Sequence, residues 1–149
     1  MIRVRWTPLL ALLLVISCRS PAREAGPLTM ADLSVAGISI DEDSGSVLRA
    51  LGTPISRDST IWRYADLQVV FGKGKVTILS ILGPTRQTQR GLRVGDGADK
   101  ARQLYLACYT DSVLVQVCFN RDDFDARAVI AQLHGERVKR IDVGRIIEP

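Results

Sequence analysis

Histidine is nearly missing from this chain: His134 is the one histidine in 149 residues. Acid–base or nucleophilic catalysis needs a convergent set of polar groups. His134 stands before Gly135 in a turn signal, with no serine or cysteine motif beside it, so no enzymatic activity is expected. Cysteine is also scarce, with three residues, Cys18, Cys108 and Cys118, and no Cys-x-x-Cys pair to mark a thiol redox site. The formal charge is +4 with no basic run interleaved with aromatics, which excludes the footprint of a nucleic-acid-binding domain. Gly72-Lys-Gly-Lys-Val lacks the spacing of a phosphate-binding loop and a following helix, and reads as a turn. Two acidic clusters, one of Asp41, Glu42 and Asp43 and one of Asp122, Asp123 and Asp125, lack the spacing and final glutamate of an EF-hand loop. They read as helix-cap and loop charges. No cofactor and no metal are expected.

What is there begins with residues 1–17, which have the three zones of an export signal. Arg3 and Arg5 supply positive charge, and Leu9 to Ile16 form an unbroken apolar run, too short for a mature span of about 20 residues. Val15-Ile16-Ser17-Cys18 resembles the lipobox of bacterial lipoproteins, in which the cysteine thiol is acylated and the chain is cut just before it. The resemblance implies a signal peptide over 1–17 and attachment to a membrane through lipid on Cys18. An ordinary secretory signal or a short uncleaved anchor would also leave the domain outside the cytoplasm. Arg19, where inner-membrane lipoproteins tend to carry Asp, favours an outer-membrane lipoprotein facing the periplasm if the source is diderm. Losing Arg3 and Arg5 lowers the formal charge to about +2. Residues 18–35, rich in small and polar side chains with Pro and Gly, read as a flexible tether. With Cys18 lipidated, Cys108 and Cys118 remain as an even pair in an oxidising compartment, and a structural disulfide of about 2 to 3 kcal/mol is expected.

Beyond the tether the chain repeats itself. Gly37-Ile-Ser-Ile-Asp recurs as Gly91-Leu-Arg-Val-Gly, 54 positions later. Each copy runs from alternating apolar residues through an acidic turn into a short helical pattern. In the first, Asp43 or Ser44 caps a helix with Val47, Leu48 and Leu51 inward, and Gly52 and Pro54 stop it. In the second, Ala101, Leu104 and Tyr105 point inward, and the helix is expected to reach Ala107. Strands follow: Thr60 to Ala65, Leu67 to Phe71 and Val76 to Leu82 in the first copy, with a hairpin turn at residues 72–75. The second copy offers Val113 to Phe119, Arg127 to Leu133 and Val138 to Ile146. Residues 126–134 fit a helix by propensity, and the parallel with the first copy favours a strand. The expected organisation is a first α+β repeat over 36–83, a linker over 84–90 and a second repeat over 91–149.

Gly37-Ile-Ser-Ile-Asp, Gly52-Thr-Pro54, Trp62-Arg-Tyr64 and Gly74-Lys-Val76, with Gly91-Leu-Arg-Val-Gly-Asp96 and Gly135-Glu-Arg-Val138, resemble BamE/SmpA-like lipoproteins and the related tandem repeats similar to β-lactamase-inhibitor proteins. Two departures stand out: BamE-like proteins have one unit where this chain has two, and Asp41 replaces the usual glycine of the first turn. The resemblance implies an α+β fold of two tandem small units, each a short helix or helix pair packed on an antiparallel sheet of about three strands. It also implies a non-catalytic protein–protein interaction module in outer-membrane assembly or maintenance, with an unidentified envelope protein as partner. An inhibitor or ligand-binding module gripping its target with a sheet face is the other function implied. Trp62 and Tyr64 alternate with Arg63, which puts both aromatics on one strand face. Core packing is the plain reading of that pattern and partner binding the sharper one. Lys73 and Lys75, at the hairpin tip, are further contact candidates, worth about 1 kcal/mol each at an anionic membrane surface.

Overall fold

The structure, a computed structural model, describes residues 26–105, 109–110, 113–119 and 127–145. The expected signal and lipid-bearing Cys18, Cys108 and the acidic cluster at Asp122, Asp123 and Asp125 lie outside the described residues. A 3-10 turn, Met30–Leu33, leads into a small hairpin of β1 (Ser34–Val35) and β2 (Ile38–Ser39), and then into helix α1 (Ser44–Leu51). Strands β3 (Ser56–Arg57), β4 (Ile61–Arg63), β5 (Leu67–Gly72) and β6 (Lys75–Ile81) follow. After helix α2 (Ala98–Leu104) come β7 (Tyr109–Thr110), β8 (Leu114–Phe119), β9 (Arg127–His134) and β10 (Arg137–Arg145).

Local chemistry sets these boundaries. The Asp43 carboxylate accepts the Ser46 amide at 2.8 Å, satisfying one orphan donor of α1. Gly52, with φ 75°, ends the helix and donates its N–H to the Leu48 carbonyl at 2.9 Å. Val47 is fully buried and Leu51 packs against the core, but Leu48 is 38% exposed. The inward face is therefore narrower than the expected trio, because a helix of two turns offers only a thin stripe. Helix α2 stops at Leu104, and Tyr105 is already extended, short of the expected end at Ala107. Between β5 and β6, Lys73 (φ 50°) and Gly74 (φ 75°) both take the left-handed conformation that suits a two-residue hairpin turn. Residues 127–134 form a strand, as the comparison of the two copies suggested.

The expectation of an α+β fold of two tandem small units, each a short helix or helix pair on about three strands, is corrected. Among the described residues the fold is mostly β: one eight-stranded antiparallel sheet, ordered β3-β4-β5-β6-β10-β9-β8-β7, with the β1–β2 hairpin apart and two short α-helices. The order is a mirror of itself about the β6–β10 pair. Lys75-Val76 at the start of β6 corresponds to Arg137-Val138 at the start of β10, 62 positions later. The same offset carries Ser80 to Asp142, which is its own Cα partner across the seam. A local two-fold axis therefore passes through that pair. Left apart, each unit would end in a long strand with a row of unpaired backbone groups. Pairing β6 with β10 satisfies both edges at once.

The repeat itself is visible in the backbone. Asp41 donates its N–H to the Val76 carbonyl at 2.8 Å, and Gly95 does the same to Val138 at 2.7 Å. Val76 returns a bond to Glu42, and Val138 to Asp96, each at 2.8 Å. Glu42 accepts the Ser39 amide (3.1 Å), as Asp96 accepts that of Arg93 (2.7 Å). The first acidic cluster, expected as helix-cap and loop charges, and its counterpart at Asp96 thus tie each helix entry to its own last strand.

A single core lies on one face of the sheet. Leu67, Val69 and Leu79 from the first half meet Val129, Ile141 and Val143 from the second. Over them pack Leu33, Val47, Leu92, Ala98, Ala101 and Tyr105. Leu28, Leu33 and Val35 are buried, so residues 28–35, read from sequence as tether, contribute to this layer. Residues 84–90, read as a linker, are pinned on both sides. Arg86 and the Thr85 hydroxyl bind Asp66, and Arg90 binds Asp32 at 2.8 Å. No helix among the described residues is long and apolar enough to cross a membrane.

Candidate functional site

The period of two that buries one face of the sheet leaves the alternate residues on the other. There Val70 faces Ile78, and Ile78 faces Gly144, so an apolar row crosses the seam. Beside it runs a polar row: Arg63 opposite Gln68, Gln68 opposite Ser80, Ser80 opposite Asp142, and Asp142 opposite Ile130. Val70, Ile78, Ile130, Gln132 and Arg140 are all half-buried. Both helices bury their apolar residues in the core on the opposite side.

Four side chains on this face are fixed by one another around the two-fold axis. The Asp142 carboxylate accepts the Ser80 hydroxyl at 2.5 Å and Arg140 Nε at 2.8 Å on one oxygen, and Gln132 Nε2 at 3.0 Å on the other. Arg140 Nη2 also donates to the Ser80 hydroxyl at 3.0 Å. The network bridges β9, β10 and β6. Side chains already held in place lose less rotamer freedom when a partner docks. An ordered polar patch next to a row of aliphatic side chains has the mixed composition of a protein interface.

The sequence-derived contact candidates divide. Trp62 is buried, its ring 4.9 Å from that of Phe71 at a tilt of 58°, with the Arg57 guanidinium 5.9 Å from its centroid. Tyr64 is half-buried on the same side and donates its hydroxyl to the Gly52 carbonyl at 3.2 Å, holding the end of α1. Burial pushes its phenol pKa above the ordinary value of 10.0. Core packing therefore accounts for most of both aromatics. Lys73 and Lys75 are exposed at the β5–β6 tip, which borders the same edge cleft as Trp62 and Phe71. His134 is exposed at the end of β9, beside Gly135 in the turn to β10. Cys118 lies on β8 with Ala128 as its Cα partner.

No protein-family model, no curated protein and no solved structure matches this chain. The open face is thus defined by its own geometry. Sequence reasoning missed Ser80, Gln132, Arg140 and Asp142 because Gln132 joins the others through the β9–β10 register and Ser80 through the pairing of β6 with β10. The available signal was Ser80 among Ile78, Leu79 and Ile81; Asp142 stands in a strand already rich in charge.

Proposed function

We propose that this protein is a non-catalytic, lipid-anchored envelope module that binds another protein through the open face of its eight-stranded sheet. The observation that carries the reading is the asymmetry of the sheet: one face holds the core cluster, and the other presents an aliphatic row beside the Asp142–Arg140–Gln132 network, which is anchored on the buried Ser80 hydroxyl. Lipid on Cys18, proposed from the lipobox resemblance, would hold that face near a membrane, with an outer-membrane assembly or maintenance role as the setting. A second reading, an inhibitor or ligand-binding module of the β-lactamase-inhibitor-like kind, is supported by the continuity of the sheet across both halves, which offers one broad face in place of two small ones.

Affinity capture from envelope extracts tests the proposal when the wild type is run beside Val70→Glu/Ile130→Glu and beside Arg102→Glu, a change on exposed α2. The wild type and the α2 variant should retain the same protein, and the sheet variant should lose it. Equal retention by all three, or no retained protein, would overturn the open-face reading. Assembly components among the retained proteins favour the first setting, and a single hydrolase the second. Replacing Cys18 with Ala should release the protein from membranes, and continued tight attachment would contradict the anchor.

A further inference from the structure

A separate cleft of about 370 Å³ opens at the β3 edge of the sheet, lined by Ser44, Arg57, Asp58, Trp62, Phe71 and Gly74. Strand β3 is outermost, and Arg57 and Trp62 are Cα partners on β3 and β4, so the cleft lies at the sheet's free edge. The Trp62 and Phe71 rings make an apolar floor.

Charge sets what the cleft would accept. Arg57 is exposed, pairs with no carboxylate among the described residues, and lies 5.9 Å from the centroid of the Trp62 ring. Lys73 and Lys75 flank Gly74 and form no ion pair among those residues; the Asp43 carboxyl is held below its ordinary pKa chiefly by the Ser46 amide, with Lys75 adding to it. The two nearby carboxylates stay ionised and offset part of this charge, while each uses one oxygen to hold a turn. Asp43 caps α1, and Asp58 accepts the amides of Thr60 at 2.8 Å and Ile61 at 2.7 Å to shape the β3–β4 turn. Three exposed cations against two carboxylates leave the edge of the aromatic floor net positive. A guanidinium over an indole is oriented for a carboxylate while its flat face is covered. The exposed edge of β3, with Ile55 75% exposed next to it, can pair with an extended chain.

We propose that this cleft binds an acidic, extended segment of a partner protein, with one large apolar side chain on the Trp62–Phe71 floor and a neighbouring carboxylate on Arg57. The proposal rests on the reading of the protein as a partner-binding module but uses a different surface. Failure here leaves the open-face capture result intact.

The test follows the Trp62 indole N–H and Gly74 amide NMR signals of the full chain during titration with acetyl-Glu-Asp-Phe-Asp-Glu-amide. Controls are the same peptide with Ser for Phe, its Lys/Arg charge-reversed counterpart, and vesicles of phosphatidylglycerol and phosphatidylcholine. Saturable shifts are expected with the acidic Phe peptide, and weaker ones with the Ser peptide. Arg57→Glu should reduce affinity about tenfold or more, the loss of a charge-assisted hydrogen bond. Ser44→Glu, which suits the first turn of a helix and puts negative charge at the cleft, should act in the same direction. Circular dichroism confirms that both variants fold. No saturable shift, equal affinity for wild type and Arg57→Glu, or a response to the vesicles alone would overturn the proposal, the last assigning the cations to a lipid surface.

Discussion

Arg90 uses every N–H it has. Nε and Nη2 meet the two oxygens of Asp32 at 2.8 Å, Nη2 also reaches the Pro27 carbonyl, and Nη1 reaches those of Gly26 and Leu104. Its guanidinium lies 5.0 Å from the centroid of Tyr105. This one side chain joins the first described residues to the segment between the two halves and to the end of α2. Burial pushes the Asp32 carboxyl up, but hydrogen bonds from Arg90 and Thr29 outweigh it, so its pKa falls below 3.8. The pair's contribution is complete above that value and is lost as pH falls through the lower folded one. Arg90→Ala should cost about 3 kcal/mol in urea unfolding, since it leaves Asp32 charged and enclosed. Arg90→Lys should recover little, because an ammonium cannot match a bidentate fork and three carbonyls. Burial also raises the Tyr105 phenol to about 12, with its hydroxyl 2.5 Å from Thr88 Oγ1. The unfolded chain ionises first, so stability should drop as pH climbs from about 10 towards about 12, a loss that Tyr105→Phe should abolish.

The two turns that open the repeats provide a matched comparison between elements. Asp41 has φ 69° and Gly95 has φ 94° at the same place in each turn. The substitution of Asp for glycine, noticeable in the sequence, thus occupies a left-handed backbone. It is offset by ion pairs from Asp41 to Arg145 at 2.9 Å and to Arg127 at 3.3 Å, which reach from the turn to the ends of β9 and β10. Asp41→Ala keeps the strained backbone and loses both pairs. Asp41→Gly loses the pairs but relieves the backbone, and should be about 1 kcal/mol more stable than Asp41→Ala in chemical unfolding. Elements of this kind were legible in advance because their determinants are local. A cap at Asp43, a stop at Gly52, the turn at residues 72–75 and the period-two pattern of β5 all act within a few residues. Leu48 was misplaced because helical spacing marks a face without saying how much of it the sheet can cover.

At the level of the whole molecule, two repeats form one sheet. The sequence announced the repeats through Gly37 and Gly91, but carried no local mark that β6 would pair with β10. That choice is non-local and is decided by satisfying two long strand edges together. Gly144 is the tightest point of the seam. A Cβ there would run into the Thr77 carbonyl oxygen and come within 2.9 Å of the Ile78 Cα. Gly144→Ala should therefore cost about 2 to 3 kcal/mol and raise amide exchange along β6 and β10 together. The open face depends on the same seam, since Ser80 and Asp142 come from opposite halves. It was hidden in the sequence for that reason, whereas Trp62 was conspicuous and is mostly core. The most direct test of the proposed role is photo-crosslinking in intact cells, with the reactive side chain placed at Val70 on the open face or at Arg102 on α2. A single envelope protein should be captured from position 70 and not from position 102. No adduct at 70, or the same adducts at both positions, would contradict docking through the open face.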